Sequence, residues 1–94
     1  MTIDFHAEVD KRKEALMEDL FGLLRINSER DDSKADEKHP FGPGPVKALE
    51  HFLALAERDG YKTRNIDNYA GDFEFGQGDE VLGIFAHLDV VPAG

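Results

Sequence analysis

The chain contains no cysteine and no tryptophan among its 94 residues. Without cysteine it can form neither a disulfide framework nor a thiolate metal site, so any zinc site must use histidine and carboxylate ligands. Its longest apolar stretch, residues 81–86, is far shorter than the roughly 20 residues that a membrane span requires. The polar, acidic N-terminus shows no secretory signal. These absences predict a cytoplasmic protein with no membrane-spanning segment.

Positive charge is also scarce. The chain has 11 lysine and arginine residues and 20 aspartate and glutamate residues, which gives a net charge of −9. This balance disfavours binding to nucleic acid and to anionic membranes. We interpret the acidic excess as a solvated surface, and attraction of divalent cations is the alternative that stays open.

The length allows at most one small domain, and residues 1–94 are treated as a single, partial domain. A chain of this size buries only about 60–65% of the surface that it exposes when unfolded, so its core is small. Apolar residues nevertheless make up 40% of the chain and include seven phenylalanines. The composition therefore predicts a folded chain rather than a disordered one.

Helical periodicity occurs twice. Val9 and the leucines that follow it recur at helical spacing and predict a first helix over about residues 4–26, held by packing of this stripe rather than by charge pairs. Residues 27–42 are polar, without an apolar period, and predict a long loop. The Gly-Pro-Gly-Pro run at 42–45 begins a second helix, for which Gly60 is predicted to be the left-handed C-terminal cap.

Three strands are predicted after the helices, at residues 61–66, 69–75 and 81–86. The turn at 76–79 would join the second and third strands into a hairpin. The third strand is continuously apolar, which is typical of a strand covered on both faces. The predicted fold class is α/β, with the two N-terminal helices packed on a small sheet of three strands. The second strand alternates and places one set of side chains on a single face: Tyr69, Gly71, Phe73 and Phe75.

The candidate chemistry lies in the strand and turn at residues 81–94. His87 follows the apolar run, and Asp89, two residues later, points to the same face of an extended chain. Metal-binding imidazoles commonly have their second nitrogen held by a carboxylate. The spacing alone is weak, because roughly 0.5 such His-x-Asp pairs are expected by chance in this composition. A histidine that is merely hydrogen-bonded to a carboxylate is the alternative, and the other three histidines are interpreted as surface residues.

The longer string changes this interpretation. The sequence AHLDVVPAG at 86–94, preceded by LGIF at 82–85, closely resembles the first metal motif of the zinc-dependent aminoacylase, carboxypeptidase and dipeptidase superfamily. Further upstream, residues 41–49, 58–61 and 67–71 look like the bacterial broad-specificity dipeptidase branch, the Xaa-His or carnosinase type. The resemblance covers essentially all of the chain.

The resemblance implies a role for each residue of the pair. His87 corresponds to a ligand of one of two zinc ions, with manganese and cobalt as alternative metals, and Asp89 to the catalytic-domain aspartate that orients this histidine. It also implies that a metal-activated water hydrolyses a dipeptide substrate. The remaining ligands and the general-base glutamate find no match in these 94 residues. We therefore expect this chain to be the beginning of a larger metallopeptidase catalytic domain, inactive by itself.

A second hypothesis is a non-catalytic module that self-associates or complements a missing portion, and that retains the family's first metal motif. An apolar strand with a free edge tends to pair with another chain, so the strand at 81–86 predicts self-association. Weak metal binding by His87 and Asp89, shared with a second chain, is a further hypothesis.

Overall fold

The computed structural model describes residues 2–93, and Met1 and Gly94 lie outside the described residues. Two α-helices are followed by one two-stranded antiparallel sheet, so the mixed α and β character is confirmed. Neither helix is long and apolar enough, among the residues described, to cross a membrane. The elements are α1 (Phe5–Leu24), a 3₁₀ turn (Asp32–Lys34), α2 (Pro43–Arg58), β1 (Thr63–Ile66) and β2 (Ala70–Phe73).

Helix α1 lies within the predicted range, and the side-chain contacts within it are polar. The side chain of its N-cap residue, Asp4, accepts a hydrogen bond from the backbone N–H of Ala7 at 3.1 Å. Glu8 pairs with Arg12 at 2.6 Å and with Lys11 at 3.3 Å, and these two cations lower the pKa of Glu8. No residue of α1 is buried. The expectation that leucine packing rather than charge pairing holds this helix is therefore wrong.

Helix α2 supplies the core. The buried apolar side chains of the described residues all belong to it. Beyond its end, Gly60 has a φ of 94°, and its N–H donates to the Glu57 carbonyl at 3.0 Å while the Tyr61 N–H donates to the Ala56 carbonyl at 3.0 Å. This pair of bonds is a Schellman motif, which confirms the predicted cap. The buried apolar residues are Val46, Ala48, Leu49, Leu53 and Ala56.

The sheet packs directly on α2. A Cβ atom at Gly71 would lie 2.9 Å from Cδ1 of Leu49 and 3.0 Å from the methyl groups of Leu53, so a larger residue there would have to displace these leucine side chains. The Phe73 ring lies 5.9 Å from that of Phe52. Gly71 and Phe73 thus face α2 together, as the alternation predicts. The expectation that both helices pack on the sheet is wrong, because α1 packs mainly against α2.

The observed hairpin joins the first and second predicted strands rather than the second and third. Strands β1 and β2 pair from Thr63 opposite Phe73 to Ile66 opposite Ala70. The turn between them contains Asp67 and Asn68, with φ of 52° and 63°. Aspartate and asparagine tolerate this left-handed region better than most residues. No strand follows the predicted turn at 76–79 within residues 2–93, so that hairpin is a wrong prediction.

The third predicted strand, residues 81–86, is not formed in the described part of the chain. Its side chains are open to solvent, and Phe85 is 98% exposed. A strand buried on both faces needs hydrogen-bonded neighbours and a cover on each side. The β1–β2 hairpin and α2 provide neither at this position. An apolar run of this kind therefore does not produce a strand by itself.

Candidate functional site

His87 and Asp89 are in contact. Nδ1 of His87 lies 3.0 Å from the backbone oxygen of Asp89 and 3.1 Å from its Oδ1. Both oxygens are acceptors, so in the neutral imidazole Nδ1 carries the proton and donates it. Nε2 is then left with a lone pair, which is the form in which histidine binds a metal. The structure brings the pair together, while the roles of metal ligand and catalytic aspartate stay predictions.

The pair by itself is too small to hold a metal ion. The side chains of His87 and Asp89 are 84% and 56% exposed. Among residues 2–93, no group of three or more histidine, cysteine, aspartate or glutamate side chains could hold an ion. A catalytic zinc takes about three protein ligands. The described residues therefore offer one candidate ligand together with the acid that orients it.

The remaining histidines differ from one another. His6 is exposed, as predicted for a surface residue, whereas His39 and His51 are half-buried. Nδ1 of His39 lies 2.8 Å from Oδ1 of Asp36, and this hydrogen bond is the largest cause of the lowered pKa of Asp36. His39 thus forms a second histidine–carboxylate pair, which makes it a useful internal comparison for His87.

The segment that carries His87 is anchored to the loop at 27–42. The backbone N–H of Val90 donates to the carbonyl of Ser28 at 3.4 Å, and Glu29 forms a parallel bridge with Val90. Ser28 is 3% exposed, the one buried polar residue of the described part. A Cβ atom at Gly44 would collide with the Asn27 carbonyl oxygen, so the start of the loop lies against the first turn of α2. The core helix therefore positions the candidate site through this loop.

The loop itself is ordered by its own contacts, although its sequence has no apolar period. The backbone N–H of Asp31 donates to the Phe41 carbonyl at 3.0 Å and closes the loop. The Phe41 ring meets Tyr69 edge-on with a centroid distance of 5.4 Å, and the Asn68 side chain donates to the Lys38 carbonyl at 2.7 Å. Loops of this compact type are frequently functional.

The positively charged side chain of Arg30 lies near the His87–Asp89 pair, and no pattern in the sequence predicts this. The guanidinium carbon of Arg30 is 5.4 Å from the centroid of the Phe41 ring, and Arg30 Nε donates to Asp32 Oδ1 at 2.7 Å. The hydrogen bond and charge of Asp32, and more weakly the charge of Asp89, raise the pKa of Arg30. Arg30 therefore lies within the electrostatic reach of Asp89.

No protein-family model matches the chain. A Staphylococcus haemolyticus (strain JCSC1435) protein named "Putative dipeptidase" is 49% identical over 87 residues, which is 93% of this chain and 19% of that protein. Proteins of the same name in Staphylococcus aureus strains USA300 and N315 are 51% identical over 87 residues, again 93% of this chain and 19% of each relative. The chain thus spans about a fifth of the length of these curated relatives. Nearly all of it is similar to part of proteins that carry the dipeptidase name.

Proposed function

We propose that this chain is the N-terminal portion of a dipeptidase that uses bound metal ions to hydrolyse dipeptides. The observation that carries the proposal is identity of 49–51% over 93% of the chain to relatives with the dipeptidase name. Only seven of the 94 residues (94 − 87) lie outside the match, so it reaches His87, whose geometry suits metal binding. Because the chain spans only 19% of those relatives, the activity is proposed for the longer polypeptide.

His87 is the residue that we propose as a metal ligand. Its Nδ1 is held by two oxygens of Asp89, which fixes the ring and leaves Nε2 available on an exposed side chain. Imidazole suits zinc, the metal that we propose, and manganese and cobalt are the alternatives. A pair of such ions supplies a nucleophilic water near neutral pH. Asp89 contributes by holding the proton on Nδ1 and raising the basicity of the ligand.

The 94-residue chain is proposed to be inactive by itself. Within residues 2–93 no further histidine or carboxylate joins His87 and Asp89 in a group that could hold an ion. The other ligands and the general base would come from the larger part of a polypeptide of the relatives' length. The proposal therefore assigns one ligand and its orienting acid to this chain.

The experiment is a chimera in which this chain replaces the matching 87 residues of the S. haemolyticus relative. The relative and the chimera are assayed with a panel of dipeptides. The chimera should hydrolyse the same dipeptides, and His87→Ala should reduce hydrolysis to background. His39→Ala, which removes the other carboxylate-bonded imidazole of the described residues, should leave the activity within about twofold.

Three results would contradict the proposal. The relative could lack dipeptidase activity, the chimera could be inactive beside an active relative, or the His87→Ala chimera could keep full activity. Circular dichroism of each purified variant separates loss of function from loss of folding.

The exposed segment at 81–86 supports a second proposal, self-association of this chain. Its four large apolar side chains, Val81, Leu82, Ile84 and Phe85, are all at least 87% exposed. Extended apolar backbone without a neighbour tends to pair with another chain. The names of the relatives do not favour a purely non-catalytic module, so we propose pairing as a property of the isolated chain.

A further inference from the structure

One side of helix α1 is apolar and open to solvent. Leu16, Leu20 and Leu24 form a row of side chains four residues apart in the second half of the helix. Met17 and Phe21 form the neighbouring row. These five side chains, the α1 apolar face, are 37–62% exposed. Together they present on the order of 450 Å² of apolar surface, a size at which an exposed patch indicates an interaction site.

The α1 apolar face points away from α2. On the opposite side of α1, a Cβ atom at Gly22 would lie 3.0 Å from Nε2 of His51. Asp19, on that same side, pairs with Arg58 at 2.9 Å. These contacts hold α1 against α2, so the apolar face takes no part in the core that α2 supplies. It is therefore free to contact a second helix.

Charged residues along one edge of this face suit an antiparallel helix pair. Glu14 and Arg25 are eleven residues apart, close to three helical turns, so they lie on the same edge near its two ends. Both are exposed, and neither forms an ion pair within residues 2–93. Glu18 lies between them and adds a second acid to this edge. Two copies of α1 that run in opposite directions and meet at Leu20 therefore bring the acids of one copy beside Arg25 of the other.

We propose that the α1 apolar face binds a second copy of this chain. The two helices run antiparallel about a two-fold axis at Leu20, and Glu14 of each copy pairs with Arg25 of the other. The rows of side chains on one helix fit the grooves of its partner. Two such faces with their polar rims bury roughly 1,500 Å², which is within the range of stable dimers. This inference is independent of the proposed dipeptidase activity, and its surface is separate from residues 81–86.

The first test uses the Phe85→Asp chain, in which pairing through residues 81–86 is weakened. Sedimentation equilibrium should show monomers and dimers and no larger species. Adding Leu20→Asp should raise the Kd of the dimer at least about 100-fold, because a charge enters an apolar contact. Val9→Asp is the matched control and should leave the Kd within about twofold, because the partner's helix ends before it reaches this position.

Two results of this test would overturn the proposal. The first is a monomer at all concentrations, which would leave the face to another part of a longer polypeptide. The second is a dimer that survives Leu20→Asp. Leu20 is 42% exposed, and circular dichroism shows whether its variant keeps the helix.

The second test exchanges charges and leaves the apolar face intact. Glu14→Arg and Arg25→Glu should each raise the Kd about 3- to 30-fold, because each variant places like charges together at both ends of the pair. An equimolar mixture of the two variants should form a mixed dimer with a Kd near that of the parent, because every arginine then meets an acid. Glu37→Arg and Lys38→Glu, on the loop at 27–42, make the same changes of net charge and should not affect the Kd when separate or mixed. A mixture that associates no more tightly than the two separate variants would overturn the proposal.

Discussion

The backbone N–H of Val90 donates to the carbonyl oxygen of Ser28 at 3.4 Å, and this bond ties the segment of His87 to the loop at 27–42. Ser28 is buried, whereas the segment is exposed apart from the half-buried Leu88, so the bond joins the core-facing part of the loop to the candidate site. The position of His87 relative to the loop at 27–42 depends on this link.

Removing the backbone N–H of Val90 should release the segment that carries His87 from the loop at 27–42. We expect Val90→Pro, which has no N–H, to detach residues 87–91 from the loop while overall stability falls by only about 0.5–1.5 kcal/mol. Backbone ¹⁵N relaxation should show increased motion at 87–91. Val81→Pro, at an exposed position without a regular element, is the control and should leave these residues unchanged. Unaltered relaxation in Val90→Pro would show that this bond does not hold the segment.

A methyl group added at Gly71 should weaken the packing of β2 on α2. In Gly71→Ala the new Cβ would lie 2.9 Å from Leu49 Cδ1, so we expect a loss of about 1–3 kcal/mol in the free energy of unfolding. Urea denaturation measures the loss. Gly83→Ala is the matched control, because only the Phe85 ring comes within 4 Å of a Cβ there, and its stability should stay within about 0.5 kcal/mol. Equal stabilities of the two variants would contradict the described packing.

The ion pair between Asp19 of α1 and Arg58 of α2 should weaken at low pH. Both oxygens of Asp19 accept from Arg58, at 2.9 and 3.0 Å, and this contact lowers the pKa of Asp19. Because the folded-state pKa lies below the unfolded value, of about 3.9, the contribution is present above that pH and lost as pH falls through the folded pKa.

We therefore expect the stability difference between the parent chain and Asp19→Asn to shrink as the pH falls from about 6 to below 3. Urea unfolding at several pH values provides the measurement. Asp10→Asn, on the same helix but outside the ion pairs of the described residues, should show no comparable trend. A difference that stays constant across this range would refute the role of the pair.

Self-association should depend on the exposed segment at 81–86. We expect the average mass of the chain in sedimentation experiments to rise with concentration, and Phe85→Asp to shift this rise to higher concentration, because it places a charge in an apolar contact. Glu80→Asp, which adds no charge beside the segment, should associate like the parent. A monomer at all concentrations would exclude pairing through this segment.

The sequence predicted those features that local patterns determine. The helix bounds follow from apolar periodicity and caps, and Gly60 forms its cap as expected. The contact between His87 and Asp89 follows from the spacing of two residues in extended chain. Each of these features depends on residues that are close together in sequence.

Features that depend on distant partners were not predictable in the same way. Residues 81–86 have the pattern of a buried strand, yet burial requires neighbours that the described residues do not provide. The glycines of the predicted turn do adopt positive φ, with Gly76 at 90° and Gly78 at 129°, but the strand that would follow the turn is not formed in the described residues. The approach of Arg30 to Asp89 depends on the bond from Val90 to Ser28, which no local period indicates.

The central claim is that His87 is a metal ligand of a dipeptidase to which this chain contributes. The most direct measurement is the zinc content of the purified chimera with and without His87→Ala, determined together with its dipeptide hydrolysis. We expect the parent chimera to bind a pair of zinc ions, and the variant to bind fewer and to lose hydrolysis. Unchanged zinc content and unchanged hydrolysis in the His87→Ala chimera would contradict the claim.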